Sequence, residues 1–134
     1  MAPPPGFARH LRSSPLTEPW EPLFSRRDDN LVRIGFQVAR AHTNSRGFVH
    51  GGMLSAIADN AMGLSCGPLS EGASVITVSL ALDFLGPARP GQWVEVAPKV
   101  NRVGGALCFA EALLTADGEP CAKAHATFRI VRPG

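Results

Sequence analysis

Two glycines and one acidic residue mark the segment of this chain that could do chemistry, GFVHGGMLSAIADNAMG at residues 47–63. Its apolar spacing predicts a helix that begins near Gly51 and Gly52. The first N–H groups of a helix lack intrahelical partners and carry the positive end of its dipole. Without side chains to shield them, such amides could stabilise a carbonyl oxygen that gains negative charge. Alternatively, the glycines serve only a tight entry into the helix that needs glycine dihedrals.

Asp59 lies seven positions after Gly52, which is nearly two turns, so both residues point to the same side of the helix. Their axial separation is about 10 Å, too far for the amides and the carboxylate of one helix to act on a single carbon atom. If both act on one substrate, they come from different chains, and the motif predicts a two-fold dimer with two active sites at its interface. Alternatively, Asp59 is solvent-exposed or pairs with an arginine across an interface.

His50 lies nine positions before Asp59 and is half a turn out of phase with it, so the two cannot pair on one helix face. We therefore expect His50 to fix the loop by hydrogen bonding. No other His or Cys has metal-ligand spacing, and the motifs GxSxG, Walker A and GxGxxG are absent. These absences argue against a metal site, a Ser-His-Asp hydrolase and a nucleotide-binding loop.

The chain of 134 residues predicts one domain, and its net charge of +2 comes from scattered Lys and Arg, which argues against a nucleic-acid partner. Three cysteines, Cys66, Cys108 and Cys121, have no CxxC spacing, so we expect no disulfide framework and a reducing, cytoplasmic location. No apolar run approaches the roughly 20 residues of a membrane helix, and no secretory h-region is present.

The elements that must position these residues follow from turn signals and periodicity. Residues 1–24 hold half of the twelve prolines and predict an irregular arm, with one helical turn around residues 7–11, before a single domain at 25–134. Within the domain we predict a strand at 31–40, a helix at 53–66 and four antiparallel strands at 74–87, 92–103, 106–116 and 120–131. The predicted fold is α+β, with the sheet wrapped around a helix of small residues.

Several local features accompany these elements. A stripe of Leu54, Ile57, Ala58, Ala61 and Ser65 should face the sheet, Gly104-Gly105 and Asp117-Gly118 predict hairpin turns, and Pro98 predicts a bulge or an unpaired edge position. Strict alternation over 74–87 would place Ile76, Val78, Leu80, Leu82 and Phe84 on one face and Thr77 on the other.

The segment HTNSRGFVHGGMLSAIADNAMG resembles the hotdog-fold acyl-CoA thioesterases of the phenylacetate-degradation type, a branch related to 4-hydroxybenzoyl-CoA thioesterases. The family pattern corresponds here to Asn44, Gly47, His50, Gly51, Gly52 and Asp59. VSLALDFLGPARPGQWVEV and LTADGEPCAKAHATFRIV are also similar to the family, so that the resemblance covers about residues 20–132. It implies the hotdog fold, in which a curved antiparallel sheet wraps one long central helix.

The resemblance also implies roles for individual residues. Asp59 matches the catalytic carboxylate, as a general base or a nucleophile, and the Gly51 amide matches the donor that polarises the carbonyl group. Asn44 matches a side chain that holds the thioester end or the water, while Thr77 falls where family members orient the water with Ser or Thr. His50 belongs to the motif and is included among the catalytic candidates. Because strand alternation turns Thr77 away from its apolar neighbours, Thr77 must face an interface cleft to act.

The predicted function is hydrolysis of an acyl-CoA, or of an acyl-carrier-protein thioester, to the free acid and the thiol. No metal and no cofactor are expected, since CoA is part of the substrate. We expect Gly52, Arg46, Arg89 and Arg102 to bind substrate, the arginines through the CoA phosphates. The resemblance implies homodimers that assemble into homotetramers, with no nucleic-acid or membrane partner.

Two other functions stay open, a non-catalytic acyl-CoA-binding sensor and a hotdog hydratase or dehydratase. The identity of the acyl group is open as well.

Overall fold

The computed structural model describes residues 2–67 and 73–132, in which one α-helix lies against a seven-stranded antiparallel sheet. The helix is α1 (Gly51–Cys66), and two 3-10 turns lie at Glu18–Trp20 and Arg40–His42. The strands are β1 (Ala8–Arg9), β2 (Phe24–Asp28), β3 (Leu31–Gln37), β4 (Ser74–Phe84), β5 (Trp93–Val103), β6 (Leu107–Ala116) and β7 (Glu119–Val131). They are ordered β1-β2-β3-β5-β6-β7-β4. This confirms the predicted α+β fold, with the sheet curved around a single helix.

Small residues bring the helix and the sheet together. The predicted stripe on α1 is buried throughout, and on β7 the inward series of Ala122, Ala124, Ala126, Phe128 and Ile130 is also buried. Ser65 satisfies a buried amide, because its hydroxyl accepts the Val32 N–H at 3.0 Å and donates to the Ala61 carbonyl at 2.7 Å. This pair of bonds fixes the end of α1 against β3.

The predicted turns are confirmed. Asp117 and Gly118 have positive φ angles of 48° and 84°, as a two-residue hairpin between β6 and β7 requires. At the other hairpin, the Gly104 N–H donates to the Leu107 carbonyl at 2.7 Å. Pro98 lies beyond Val96, the last residue of β5 that pairs with β3, so its missing N–H leaves no gap in that ladder.

Strict alternation along β4 is wrong. Thr77 pairs with Phe128 and Ser79 with Thr127, so Val78 is an extra residue in β4 and forms a bulge. The bulge changes which face later residues occupy. Val75, Thr77, Leu80, Leu82 and Phe84 all lie opposite inward-facing residues of β7, and these β4 residues therefore share the helix-facing side.

The N-terminal arm is more regular than its prolines suggest. Instead of the helical turn predicted at residues 7–11, Ala8–Arg9 forms β1, which pairs with β2 and extends the sheet. His42 fastens the following turn, since its Nδ1 accepts the Ala39 N–H and its Nε2 therefore donates to the Trp20 carbonyl, both at 2.9 Å. The strand β2 was also missed, because its Ser-Arg-Arg-Asp stretch lacks a clear apolar alternation.

The cysteine prediction is wrong as well. Cys66 at the end of α1 forms a disulfide with Cys108 of β6, while Cys121 is free and buried. The sequence separation of 42 residues hides the pairing, which only the packing of the helix end on β6 creates. Burial raises the pKa of the Cys121 thiol.

Residues 68–72, which join the helix predicted at 53–66 to the strand predicted from residue 74, lie outside the described residues. Among those that are described, no helix is long and apolar enough to cross a membrane.

Candidate active site

The N-terminus of α1 leaves one amide available to a ligand. His50 caps the helix, since its Nδ1 accepts the Gly52 N–H at 2.8 Å and its carbonyl accepts the Met53 and Leu54 N–H groups. The expected hydrogen-bonding role of His50 in the loop is therefore present. Within residues 2–67 and 73–132, the Gly51 N–H has no hydrogen-bond acceptor. Gly51 is thus the donor that is free to meet a substrate, whereas the amide of Gly52 is already used.

Close packing explains why these two positions are glycines. A Cβ on Gly51 would lie 3.0 Å from the ring of Phe84, and a Cβ on Gly52 would lie 3.0 Å from His50 Nδ1. Both contacts are tighter than a side chain tolerates without movement of the neighbour. Glycine therefore serves the packing at this helix end and also leaves the Gly51 amide uncovered.

Asp59 and Thr77 form the polar pair of the site. The Thr77 hydroxyl donates to Asp59 Oδ1 at 2.6 Å, and the pair is exposed to solvent. The β4 bulge is what turns Thr77 towards α1. Asp59 lies eight residues after Gly51, about 12 Å along the helix axis. Within one protomer, therefore, the carboxylate and the free amide do not face a common point.

Asn44 shapes the loop that leads into α1. Its Oδ1 accepts the N–H groups of Arg46 at 2.9 Å and of Phe48 at 3.3 Å. Gly47 has a φ of +83°, a left-handed conformation that favours glycine and completes the turn. Asn44 Oδ1 is thus engaged in the loop, and its Nδ2 has no partner in the part of the chain that the structure describes.

The three predicted phosphate-binding arginines do not form one cluster in a protomer. Arg89 stacks over the ring of Phe48 at 5.1 Å, so it lies with Arg46 beside the loop that precedes α1. Arg102 instead lies opposite Phe109 near the far end of β5. Nine residues of extended strand separate Arg102 from Trp93, about 30 Å. The roles of all three arginines in substrate binding stay predictions.

A cleft of about 580 Å³ opens beside Asp59 and Thr77. Its walls are the arm at residues 10–14, Arg27 of β2, the second half of α1 and the start of β4. The cleft is the gap that the curved sheet leaves between its two edges. A second cleft, of about 420 Å³, lies beside His50 and Gly52 and is bounded by Leu16 and Trp20 of the same arm. Both clefts therefore open along the exposed side of α1.

Sequence reasoning missed the contribution of the arm and of Arg27 to this site. No motif surrounds His10, Arg12 or Arg27, and their proximity to Asp59 arises from β1 pairing with β2 and from the curvature of the sheet. Burial lowers the pKa of His10, an effect that Glu21 opposes and Arg12 reinforces. His10 is thus held towards its neutral form in the cleft wall. In the described ranges, no group of three His, Cys, Asp or Glu side chains is arranged to hold a metal ion.

Comparisons with known proteins identify the family of the chain. A family model described as the thioesterase superfamily matches residues 46–123. The chain is 36% identical over 129 residues to a proposed esterase of Pseudomonas aeruginosa, covering 95% of this chain and 96% of that protein. It is 28% identical over 113 residues to mouse acyl-coenzyme A thioesterase 13, covering 83% of this chain and 74% of the mouse protein.

Among solved structures, a hypothetical thioesterase of Streptococcus pneumoniae crystallised with coenzyme A has a TM-score of 0.76 at 21% identity, covering 85% of this chain and 94% of that one. This likeness concerns the fold. The expected hotdog fold is confirmed, and the matches identify an enzyme of the thioester hydrolase class. The chain belongs to the thioesterase superfamily.

Proposed function

We propose that this protein hydrolyses acyl-CoA thioesters to the free acid and CoA, at active sites shared between two protomers. The observation that carries the proposal is the pairing of Asp59 with Thr77 at 2.6 Å, together with a Gly51 amide that has no acceptor among the described residues. The two groups lie about 12 Å apart along the helix. If the α1 helix of a second protomer lies antiparallel to the first, the Gly51 of each protomer approaches the Asp59 of the other. Such a two-fold dimer contains two equivalent sites.

The free edge of β4 supports this assembly. β4 is the last strand of the sheet, has eleven residues and exposes Ile76 and Val78, which are 58% and 60% accessible. A long apolar edge strand is an aggregation hazard unless something covers it. A second copy would cover it across a two-fold axis, with the two α1 helices close to each other. Exposed apolar residues on the outer face of β6, namely Leu107, Phe109 and Leu113, support a further association into tetramers.

In the proposed reaction, the Thr77 hydroxyl holds Asp59 Oδ1 and leaves Oδ2 to act. Asp59 either takes a proton from the attacking water, or attacks the thioester to form a mixed anhydride that water then hydrolyses to the free acid. The Gly51 N–H of the other protomer stabilises the oxyanion that forms, and Asn44 Nδ2 is positioned beside the loop to hold the thioester or the water. The thiolate then leaves without help from a metal or a cofactor, because it is a stable leaving group. Arg46 and Arg89 would meet the phosphates of CoA near the loop.

The finer class rests on the motif. We place the chain close to the phenylacetate-degradation branch because Asn44, the His-Gly-Gly of residues 50–52 and Asp59 have the spacing of that family's pattern. The relatives named as acyl-coenzyme A thioesterases and the CoA-bound pneumococcal structure support CoA as the carrier. A cytoplasmic location is proposed from the CoA substrate alone, since the Cys66–Cys108 disulfide removes the argument from free cysteines.

The catalytic proposal is tested with Asp59→Asn and a panel of aliphatic and aromatic acyl-CoAs, measured by the thiol released. Loss of a general base lowers kcat by about 10²–10⁴-fold. Asp83→Asn is the matched control, because Asp83 is an exposed acid on the outer side of β4 that faces Lys123. Unchanged turnover in Asp59→Asn would refute the mechanism, whereas binding of acyl-CoA without any turnover by the native protein would favour the sensor.

The shared site is tested by mixing two inactive variants. Gly51→Pro removes the N–H at the first helical position, where proline is tolerated, and Gly51→Ala controls for the added Cβ against Phe84. In a mixture of Gly51→Pro and Asp59→Asn, each mixed dimer keeps one intact site, so random exchange restores roughly one quarter of native activity. No restoration, in a mixture that native mass spectrometry shows to contain mixed dimers, would exclude the shared site.

A further inference from the structure

The cleft beside Asp59 contains two cations that the proposed reaction does not use. Arg12 of the arm and Arg27 of β2 both line it. In the described part of the chain neither guanidinium makes an ion pair or a side-chain hydrogen bond. Their neighbours differ in this respect, since Arg9 pairs with Glu21 at 3.3 Å and Arg26 with Asp28 at 2.9 Å. Two unpaired arginines therefore share one cavity.

The register of the sheet locates Arg27 along the cleft. Arg27 is directly opposite Val32 in the β2–β3 pair, so its side chain lies on the same, helix-facing side as the buried Val32. The Val32 N–H donates to Ser65, which lies six residues beyond Asp59 on α1. Arg27 is thus level with the end of the helix, about 9 Å from the level of Asp59.

The arm supplies the other cation of the cleft. The His10 N–H donates to the Leu23 carbonyl at 2.9 Å, just before β2 begins, which fixes the chain that leads to Arg12. Arg12 lies close enough to His10 to contribute to the lowering of the His10 pKa, so the positive charge of Arg12 acts on a side chain that lines the cleft. Asp59 is the acid among the described lining residues. Among the described lining residues, the two arginines therefore outnumber the acid.

We propose that Arg12 and Arg27 form an anion-binding subsite in the cleft beside Asp59, where they hold a negatively charged group of the substrate. This inference rests on the proposed thioesterase function, because it takes Asp59 as the position of the reacting carbonyl group. The chemistry it recognises is a carboxylate or a phosphate, both of which accept paired hydrogen bonds from guanidinium. Such a group belongs either to the distal end of a dicarboxylic acyl chain or to CoA itself.

The test uses Arg12→Gln, Arg27→Gln and the double variant, with Arg9→Gln as a matched control. Arg9 is on the same arm and loses the same charge, but it does not line the cleft. Three thioesters separate the sources of the anion: a neutral acyl-CoA, the acyl-CoA of equal length that ends in a carboxylate, and the neutral acyl group on pantetheine, which lacks phosphates. Thermal unfolding verifies that each variant is folded.

We expect the double variant to raise KM about tenfold, with kcat nearly unchanged, for the substrates that carry the bound anion. A rise confined to the carboxylate-ended substrate assigns the subsite to the acyl chain. A rise for both CoA substrates but not for the pantetheine thioester assigns it to a CoA phosphate. Equal KM values for the native protein and the double variant on all three substrates would overturn the subsite.

Binding measurements keep this test independent of turnover. The CoA thioethers of the same two acyl groups cannot be hydrolysed, and calorimetry gives their Kd for the native protein, the double variant and Arg9→Gln. Weaker binding that is confined to the double variant supports the subsite, even if no thioester is hydrolysed. Absence of hydrolysis would refute the proposed function and leave the subsite standing. Identical Kd values in all three proteins would overturn the subsite whatever the turnover.

Discussion

Thr77→Val gives the sharpest view of how the site is built. Valine keeps the shape of threonine and removes the hydroxyl that donates to Asp59 Oδ1 at 2.6 Å. A hydrogen bond to a charged group is worth about 1.5–3 kcal/mol. Because Thr77 is exposed and Asp59 is partly exposed, we reduce this to about 1–2 kcal/mol. At about 1.4 kcal/mol per tenfold change in rate, kcat should fall roughly 5- to 30-fold, with little change in KM.

The assay is steady-state release of the CoA thiol, with two controls that the fold offers. Thr77→Ser keeps the hydroxyl and should retain most of the activity. Ser79→Ala removes a hydroxyl from the residue just past the Val78 bulge, on the outer face of β4 opposite Thr127, and should have no effect. A Thr77→Val enzyme within twofold of the native kcat, or an equal loss in Ser79→Ala, would refute the role assigned to the Asp59–Thr77 pair.

Three further predictions concern stability. Ser65→Ala leaves the buried Val32 N–H without an acceptor and should lower the free energy of unfolding, measured by urea titration, by about 1–3 kcal/mol. The control Ser55→Ala loses only a bond to the Gly51 carbonyl and should lower it much less. Equal losses in the two variants would contradict the role assigned to Ser65. Reducing the Cys66–Cys108 disulfide frees a loop with a sequence separation of 42 residues and should cost about 4 kcal/mol in the chain-entropy model. A double Cys66→Ala, Cys108→Ala variant should be insensitive to reductant. Three free thiols in the unreduced native protein, instead of Cys121 alone, would disprove the bond. The folded-state pKa of His10 is lowered, chiefly by burial, so the unfolded chain binds the proton more readily. The free energy of unfolding should therefore fall as the pH drops below about 6.5, until the folded-state pKa is reached. His10→Gln should flatten this part of the plot of urea midpoint against pH, and an unchanged plot would exclude His10 as its source.

Local pattern was sufficient for the helix and for most of the sheet. The apolar stripe on α1, the alternating inner face of β7 and the turn at Asp117-Gly118 are all short-range signals, and each is present as predicted. They are reliable because burial of one face imposes a period, and because a type I′ turn needs residues that tolerate positive φ. The separation of Gly51 from Asp59 follows in the same way, from helix pitch alone.

Periodicity failed where one residue interrupts it. Alternation placed Thr77 on the face of β4 away from Leu82 and Phe84, but the extra residue Val78 puts all three on the helix-facing side. A bulge is a property of the pairing between β4 and β7, and nothing in the residues 74–87 alone requires it at this position. The resemblance, and not the strand pattern, gave Thr77 a place in the site, and its contact with Asp59 was not predicted.

The sequence by itself determined the chemical groups of the site and their spacing along the chain: glycine amides at the start of the helix, a carboxylate at Asp59 and a loop histidine, His50, just before the helix. These depend on residues that are close in the chain, where helix geometry converts sequence distance into space. Only the tertiary structure decided that Thr77 reaches Asp59, that Cys66 meets Cys108 and that Arg12 and Arg27 line the same cleft. Those contacts join residues that are far apart in sequence, and the bulge in β4, the pairing of β1 with β2 and the curvature of the sheet around α1 bring them together.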